Sequence, residues 1–156
     1  MAAILGMNAK LYYQTTGTRV AWPGTGAAPN LALISNVKDL DLNLNTGEAD
    51  VTTRGNDGWR ATVGTLKDAS IEFDMIFDAS DTAFTAIQAA FLAGTTVAFA
   101  ALTGLSTVTG TQGLWADCRV TAFDISQPLE DAITVKVTVK PTYSGLAPAW
   151  ITVTAA

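Results

Sequence analysis

The stretch "AITVKVTVK" at residues 132–140 alternates strictly between apolar and polar side chains. The apolar positions are Ile133, Val135, Val137 and Val139. A period of two residues is the pattern of a β-strand that has one buried face and one solvated face. Half-solvated strands of this kind are typical of antiparallel sheets. The stretch therefore predicts a mainly β protein.

Two further segments repeat this alternation. "DLDLNL" (39–44) sets three leucines against polar residues, and "SIEFDMIFD" (70–78) sets four large apolar residues against acidic ones. The carboxylates on the polar sides are Asp39, Asp41, Glu72 and Asp74. We also expect strands at 8–14, 31–38, 96–103 and 114–126. Each carboxylate lies on a strand face that is expected to meet water.

One segment has the spacing of a helix, "SDTAFTAIQAAFLAG" (80–94). Ser80 or Asp81 can cap its start, Gly94 can end it, and an apolar stripe runs along one side. The stripe consists of Phe84, Ile87 and Phe91. The order of these elements along the chain is strands, one helix and then strands again. This order predicts an antiparallel β-sandwich or barrel with one flanking α-helix, built as a single domain over residues 1–156.

Three segments interrupt the regular pattern. Residues 15–30 and 46–64 are rich in glycine and predict long loops, and residues 141–156 form a Pro-broken C-terminal segment. Long ordered loops in a small domain tend to be functional. The second loop contains "ADVTTRGNDGWRATVG", and Trp and Arg dominate protein–protein hot spots. We therefore predict an inter-subunit contact formed by Asp50, Arg54, Asn56, Asp57, Trp59 and Arg60.

Composition argues against several classes of function. The 156 residues carry a net charge of −5, which disfavours a basic surface for nucleic acid. The chain has no histidine, so a Ser-His-Asp site and histidine metal ligation are excluded. Its single cysteine, Cys118, alternates with apolar residues and is expected to be buried. No catalytic, cofactor-binding or metal-binding residue is predicted, and no apolar run is long enough to suggest a membrane partner.

The segment "NVKDLDLNLNTGEADVTTRGNDGWRATVGTLKDASIEFDM" (36–75) resembles the signature region of tail tube (major tail) proteins of long-tailed bacteriophages. The matching features are "NVKDL" before a strand, then "GEADVTTR", "GW" and "GTLKDASIEF". Downstream, "FTAIQAAFLAGTTVAFA" resembles the family's helix and following strand. "GLWADCRVTAFDISQPLEDAITVKVTVKPTYS" (113–144) resembles its last two core strands. The resemblance extends over nearly the whole chain except residues 15–30.

This resemblance implies a structural subunit of homo-hexameric rings that stack into a hollow tube. Strands of all subunits would join into one continuous inner β-barrel, and the loop at 46–64 would reach a neighbouring ring. Genomic DNA and a tape-measure protein would occupy the lumen transiently, with tail terminator and tail-tip proteins at the ends. The location implied is the virion tail, after assembly in the host cytoplasm. The acidic strand faces would then be candidates for the lumen, although Lys136 and Lys140 lie on a similar face.

Other functions remain open at this point. A type VI secretion tube subunit, a contractile-tail tube or a tail terminator would share the fold. A carbohydrate-binding β-sandwich could use Trp22, Trp59 or Trp115 as a stacking platform. A carboxylate-dependent hydrolase is disfavoured, because neighbouring carboxylates on one strand are not opposed across a cleft.

Overall fold

A computed structural model of the chain describes residues 3–14 and 31–154, so the loop predicted at 15–30, including Trp22, lies outside the described residues. The strands are β1 (Lys10–Gln14), β2 (Leu31–Leu33), β3 (Val37–Asp50), β4 (Thr62–Ile76), β5 (Thr96–Leu102), β6 (Gln112–Ser126), β7 (Thr134–Pro141) and β8 (Ala149–Thr152). The helix α1 is Thr82–Ala93, and short 3-10 turns occupy Gly6–Asn8 and Arg54–Asn56. None of the helices in these described ranges is long and apolar enough to cross a membrane.

The strands form one antiparallel sheet in the order β2-β1-β5-β6-β7-β4-β3, and β8 pairs with β6. The long strand β6 joins the two halves of this sheet. Its first half pairs with β5 and β8, and its second half pairs with β7. The mainly β architecture, with one α-helix among the described residues, agrees with the sequence prediction.

The two ends of the sheet, β2 and β3, are consecutive in the chain. The amide of Ile34 donates to the carbonyl oxygen of Leu11 in β1 at 3.0 Å. Two residues later, the carbonyl oxygen of Asn36 accepts from the amide of Ile76 in β4, also at 3.0 Å. The Asn36 side-chain amide in turn donates to the carbonyl oxygen of Ile76 at 2.7 Å. The short link between β2 and β3 therefore connects β1 to β4, and the sheet curls around its core.

The core lies inside this curl and confirms the alternation seen in the sequence. The apolar sides of β4 and β7 are buried, as are the first two residues of the helical stripe, Phe84 and Ile87. Cys118 is fully buried, as expected. Asp81 caps α1 by accepting from the amide of Ala83, and Gly94 ends it in the left-handed conformation.

A second apolar cluster covers the other face of β1, β5 and β6. Its members are Tyr12, Ala98, Ala100, Leu102, Trp115, Ile151 and Val153. Two of them belong to the C-terminal segment, which is therefore packed within the single subunit. The same segment is anchored upstream, where the Thr142 amide and the Ser144 hydroxyl donate to Asp117.

The loop predicted at 46–64 is shorter than expected. Strand β3 continues to Asp50 and β4 begins at Thr62, so the connecting loop spans only residues 51–61. Gly47 lies at an irregularity of the pairing, where an added Cβ would approach the Thr65 hydroxyl oxygen to 2.5 Å. Gly47, one of the glycines that suggested a loop, thus marks a close approach between two paired strands.

Candidate assembly surfaces

The β3–β4 hairpin projects beyond the rest of the sheet. Strand β7 pairs with β4 only from Ile71 to Ile76, whereas the pairing of β3 with β4 continues to the far end of both strands. We call residues 44–69 the arm. Apolar side chains that sequence reasoning did not select are exposed along it, with Leu66 at 86%. The others are Leu44, Val51 and Val63. A two-stranded ribbon is only marginally stable in water, so the arm with its exposed apolar side chains is a candidate contact surface.

The tip of the arm is held by its own hydrogen bonds. Thr53 and Asn56 form a reciprocal capping box, and the Trp59 amide donates to the carbonyl oxygen of Asn56 at 2.9 Å. Asp57 adopts the left-handed conformation at φ 51°, which aspartate tolerates better than most residues. This ordered turn presents the Trp59 side chain with 79% of its surface exposed. Because the backbone of the turn is already ordered, binding at the tip costs little backbone conformational freedom.

The six residues predicted as contacts fall into two groups. Five of the six are exposed, and four of these surround the tip, where they are available to a partner: Arg54, Asp57, Trp59 and Arg60. The other two maintain its shape. Asn56 forms the capping box, and Asp50 accepts from the amide of Thr52 at 2.9 Å. Hydrogen bonds from the Thr52 hydroxyl and amide lower the pKa of Asp50.

All four predicted acidic residues meet on one face of the sheet. Asp41 lies directly opposite Glu72, and Asp74 lies opposite Lys136. Together with Asp39 they line one shallow depression. Asp124, which sequence reasoning missed, lies opposite Lys136 on the other side. We call this set the acidic face: Asp39, Asp41, Glu72, Asp74, Asp124 and Lys136.

The acidic face consists of five carboxylates and one ammonium group. Lys140 is farther along β7, where its Nζ lies 3.9 Å from a carboxylate oxygen of Asp68. The two lysines that complicated the sequence-based prediction therefore do not make this face basic. Within residues 3–14 and 31–154, no set of three or more acidic, cysteine or histidine residues is arranged to hold a metal ion.

The half of the sheet that carries the acidic face ends in two open edges. In the described part of the chain, β3 pairs only with β4, and β6 has no partner on its β5 side beyond Arg119. Large apolar side chains near both edges are partly exposed. They are Leu40, Leu42 and Leu44 on β3, Ile125 on β6, and Phe91 of α1, whose ring stacks on Phe123 of β6. Open edges are templates for pairing with another chain.

The tryptophan platform proposed for sugar binding is not assembled. Trp115 is 1% exposed in the second apolar cluster, and Trp22 lies outside the described ranges. Of the three residues proposed, only Trp59 is shown to be exposed, at the tip of the arm.

Comparison with known proteins supports an assembly role. A family model described as phage tail tube protein matches residues 24–142. No curated protein sequence gives a significant match. The tail of an empty gene transfer agent particle, refined with C6 helical symmetry, is similar in structure with a TM-score of 0.69 and 17% identity. That alignment covers 95% of this chain and 98% of the tail chain.

Two other assemblies contain a similar fold. The SPP1 tail tube aligns with a TM-score of 0.71 and 14% identity, over 96% of this chain and 80% of that one. A chain of the anti-feeding prophage baseplate aligns with a TM-score of 0.60 and 8% identity, over 97% of each chain. At these identities the structural matches establish the fold alone.

Proposed function

Because the chain belongs to the phage tail tube protein family, we propose that its copies form homo-hexameric rings that stack into a hollow tube. The chain is a structural tail tube subunit, and its place is the virion tail. We also propose that the protein assembles in the host cytoplasm and that its role involves no catalysis. The observation that carries the ring proposal is the pair of open edges on β3 and β6.

Those edges match each other in direction. The half-sheet β6-β7-β4-β3 has four strands, and each runs antiparallel to its neighbour. An even number of strands makes the two outermost strands antiparallel. Rotation about a ring axis then brings β3 of one copy beside β6 of the next in an antiparallel arrangement. Closure of the ring removes both of these edges and yields a continuous inner barrel of about twenty-four strands for six copies.

Apolar side chains at the two edges support the same contact. Leu44 is 55% exposed on β3, and Ile125 is 43% exposed on β6. Their strand neighbours Leu42 and Phe123 pack against the core, so both exposed side chains point toward the core side of the sheet. Pairing of the two edges would cover both side chains and remove them from water. Full burial of a Leu or Ile side chain contributes about 1.5–3 kcal/mol, and about half of that remains to be gained at each of these half-exposed side chains.

The acidic face is then the wall of the lumen. It lies on the opposite side of the half-sheet from the core, and six copies would repeat its five carboxylates around the channel. Such a wall repels phosphate, so genomic DNA passes without adhering. The tape-measure protein in the lumen, and terminator and tail-tip proteins at the ends, are partners we propose from the family resemblance.

The arm is the contact between successive rings. It extends past the end of β7 and exposes Trp59 with two arginines, which are hot-spot residue types. We assign stacking to Arg54, Asp57, Trp59 and Arg60, with Asp50 and Asn56 maintaining the shape of the tip.

Negative-stain microscopy of concentrated protein tests the ring and the tube together. We expect hollow tubes from the natural chain, and only dispersed subunits from Ile125→Asp, because a carboxylate would lie within the edge contact. Val108→Asp is the matched control, because Val108 is comparably exposed at 51% in the turn before β6. Thermal melting checks that both variants fold. Isolated rings without tubes would favour a terminator, and normal tubes from Ile125→Asp would refute the proposed edge pairing.

A further inference from the structure

We propose that a groove at the start of β3 is the receptor for the arm of a copy in the next ring, with Trp59 as its anchor. The inference rests on the proposed stacking of rings and adds to it the second half of the contact. The groove has a volume of about 560 Å³ and lies between the N-terminal turn, the end of β2 and the beginning of β3. Its lining residues include Met7, Lys10, Leu33, Val37, Lys38 and Leu40.

The groove and the arm tip lie at opposite ends of the same strand. Leu40 lines the groove, and Asp50 is the last residue of β3 before the tip loop. Ten residues of extended chain span about 33 Å. A surface at one end that binds a surface at the other end is a heterologous contact, and its repetition along an axis gives an open-ended filament. The two sites are therefore placed as head-to-tail stacking requires.

The groove has the chemistry to hold an aromatic anchor. Buried Leu11 and Ile34 lie among its lining residues, and Met7 and Leu33 are 79% and 41% exposed. Ile4 and Leu5, just before the N-terminal turn, are also exposed. Methionine adapts its shape to irregular partners. An indole ring that enters this groove would remove from water apolar surface on both copies.

Charge favours the same pairing. The arm, residues 44–69, contains four carboxylates, two guanidinium groups and one ammonium group, which gives a net negative charge. The groove is lined by Lys10, Lys38 and Asp39, which gives a net positive charge. The two lysines match the carboxylates near the tip. Complementary charge of this kind directs orientation and association rate more than affinity.

Chemical crosslinking in assembled tubes tests the contact. Two single variants, Arg60→Cys in the tip and Lys10→Cys in the groove, are mixed, assembled and treated with a short bismaleimide. We expect a covalent dimer in the mixture and much less in either variant alone. The natural chain is the control, because its Cys118 is fully buried and should not react.

The outcomes separate this inference from the proposed function. Normal tubes without the crosslinked dimer would overturn the groove as receptor and leave the tube assignment intact. Failure of the natural chain to form tubes would overturn stacking itself. A charge reversal gives an independent readout: Lys38→Glu should slow tube growth several-fold at low salt, and Asp57→Lys in the same chain should restore it. Unchanged growth of Lys38→Glu would contradict the proposed contact.

Discussion

Neutralising one carboxylate of the acidic face should stabilise the free subunit. Asp41 and Glu72 lie directly opposite each other on β3 and β4, and like charges in such a pair are destabilising. Their repulsion in water is about 0.7 kcal/mol at a separation of about 6 Å. The Lys136 ammonium on the same face offsets part of it. We therefore expect Asp41→Asn to raise the free energy of unfolding by about 0.5 kcal/mol, within the range for cross-strand pairs.

Urea denaturation of dilute, unassembled protein measures this difference. In a double-mutant cycle, Glu72→Gln should give a similar gain by itself, and the double variant should add little, because either change alone removes the repulsion. Asp68→Asn is the matched control on the same sheet. Asp68 is near Lys140, so its neutralisation should leave stability unchanged or lower it slightly.

Salt provides the test that identifies the cause. Raising the ionic strength from 0.1 M to 1 M shortens the Debye length from about 10 Å to about 3 Å. The gain from Asp41→Asn should therefore disappear at high salt. A loss of stability in this variant, or a gain that persists in 1 M salt, would refute the account of the acidic face as an electrostatically strained surface.

Three further predictions concern the arm and the termini. Trp59→Ala should change the stability of the subunit by no more than about 0.5 kcal/mol, because the side chain is exposed. It should weaken each stacking contact by about 2 kcal/mol, which sedimentation of tubes would measure. Trp150→Ala, at an exposed tryptophan outside the arm, is the control and should not impair sedimentation. Thr52→Val should raise the pKa of Asp50 toward its ordinary value of 3.8, and NMR titration would measure the change. The native hydrogen bonds lower this pKa in the folded state. The stability they contribute is therefore present above pH 3.8 and is lost as the pH falls through the lowered value. In hydrogen exchange, the segment before β1 should gain protection on tube formation, whereas 149–154 should already be protected in the free subunit, since β8 pairs with β6.

Local pattern predicted most of the fold because most of its elements bury one face against a common core. The alternation at 132–140 and 70–78 corresponds to β7 and β4, and the helical spacing at 80–94 corresponds to α1 with its cap at Asp81. Side chains on the buried face must be apolar, so the period of the strand or helix appears in the sequence.

The arm was predicted less well because no core fixes its pattern. Both faces of its ribbon are largely exposed, so its residues need not alternate between polar and apolar. Glycine and polar residues there resemble those of a loop, although a continuous ladder pairs the two strands with one irregularity at Gly47. The open edges were also beyond sequence reasoning, because they depend on where β5 stops along β6. Strand order is a property of the whole fold.

Several features of the chain do not stabilise the isolated subunit. A monomer gains nothing from the Asp41–Glu72 repulsion, from Leu44 and Ile125 in water, or from a tryptophan exposed at the end of a ribbon. Natural proteins depart from local rules mainly where function requires it. Here each departure has a partner elsewhere on the same chain: edge with edge, and tip with groove. The repulsive face is the exception, since it has no complement on another copy. An acidic surface without a complement is what a channel wall for a polyanion requires, because a wall that attracted DNA would hold it.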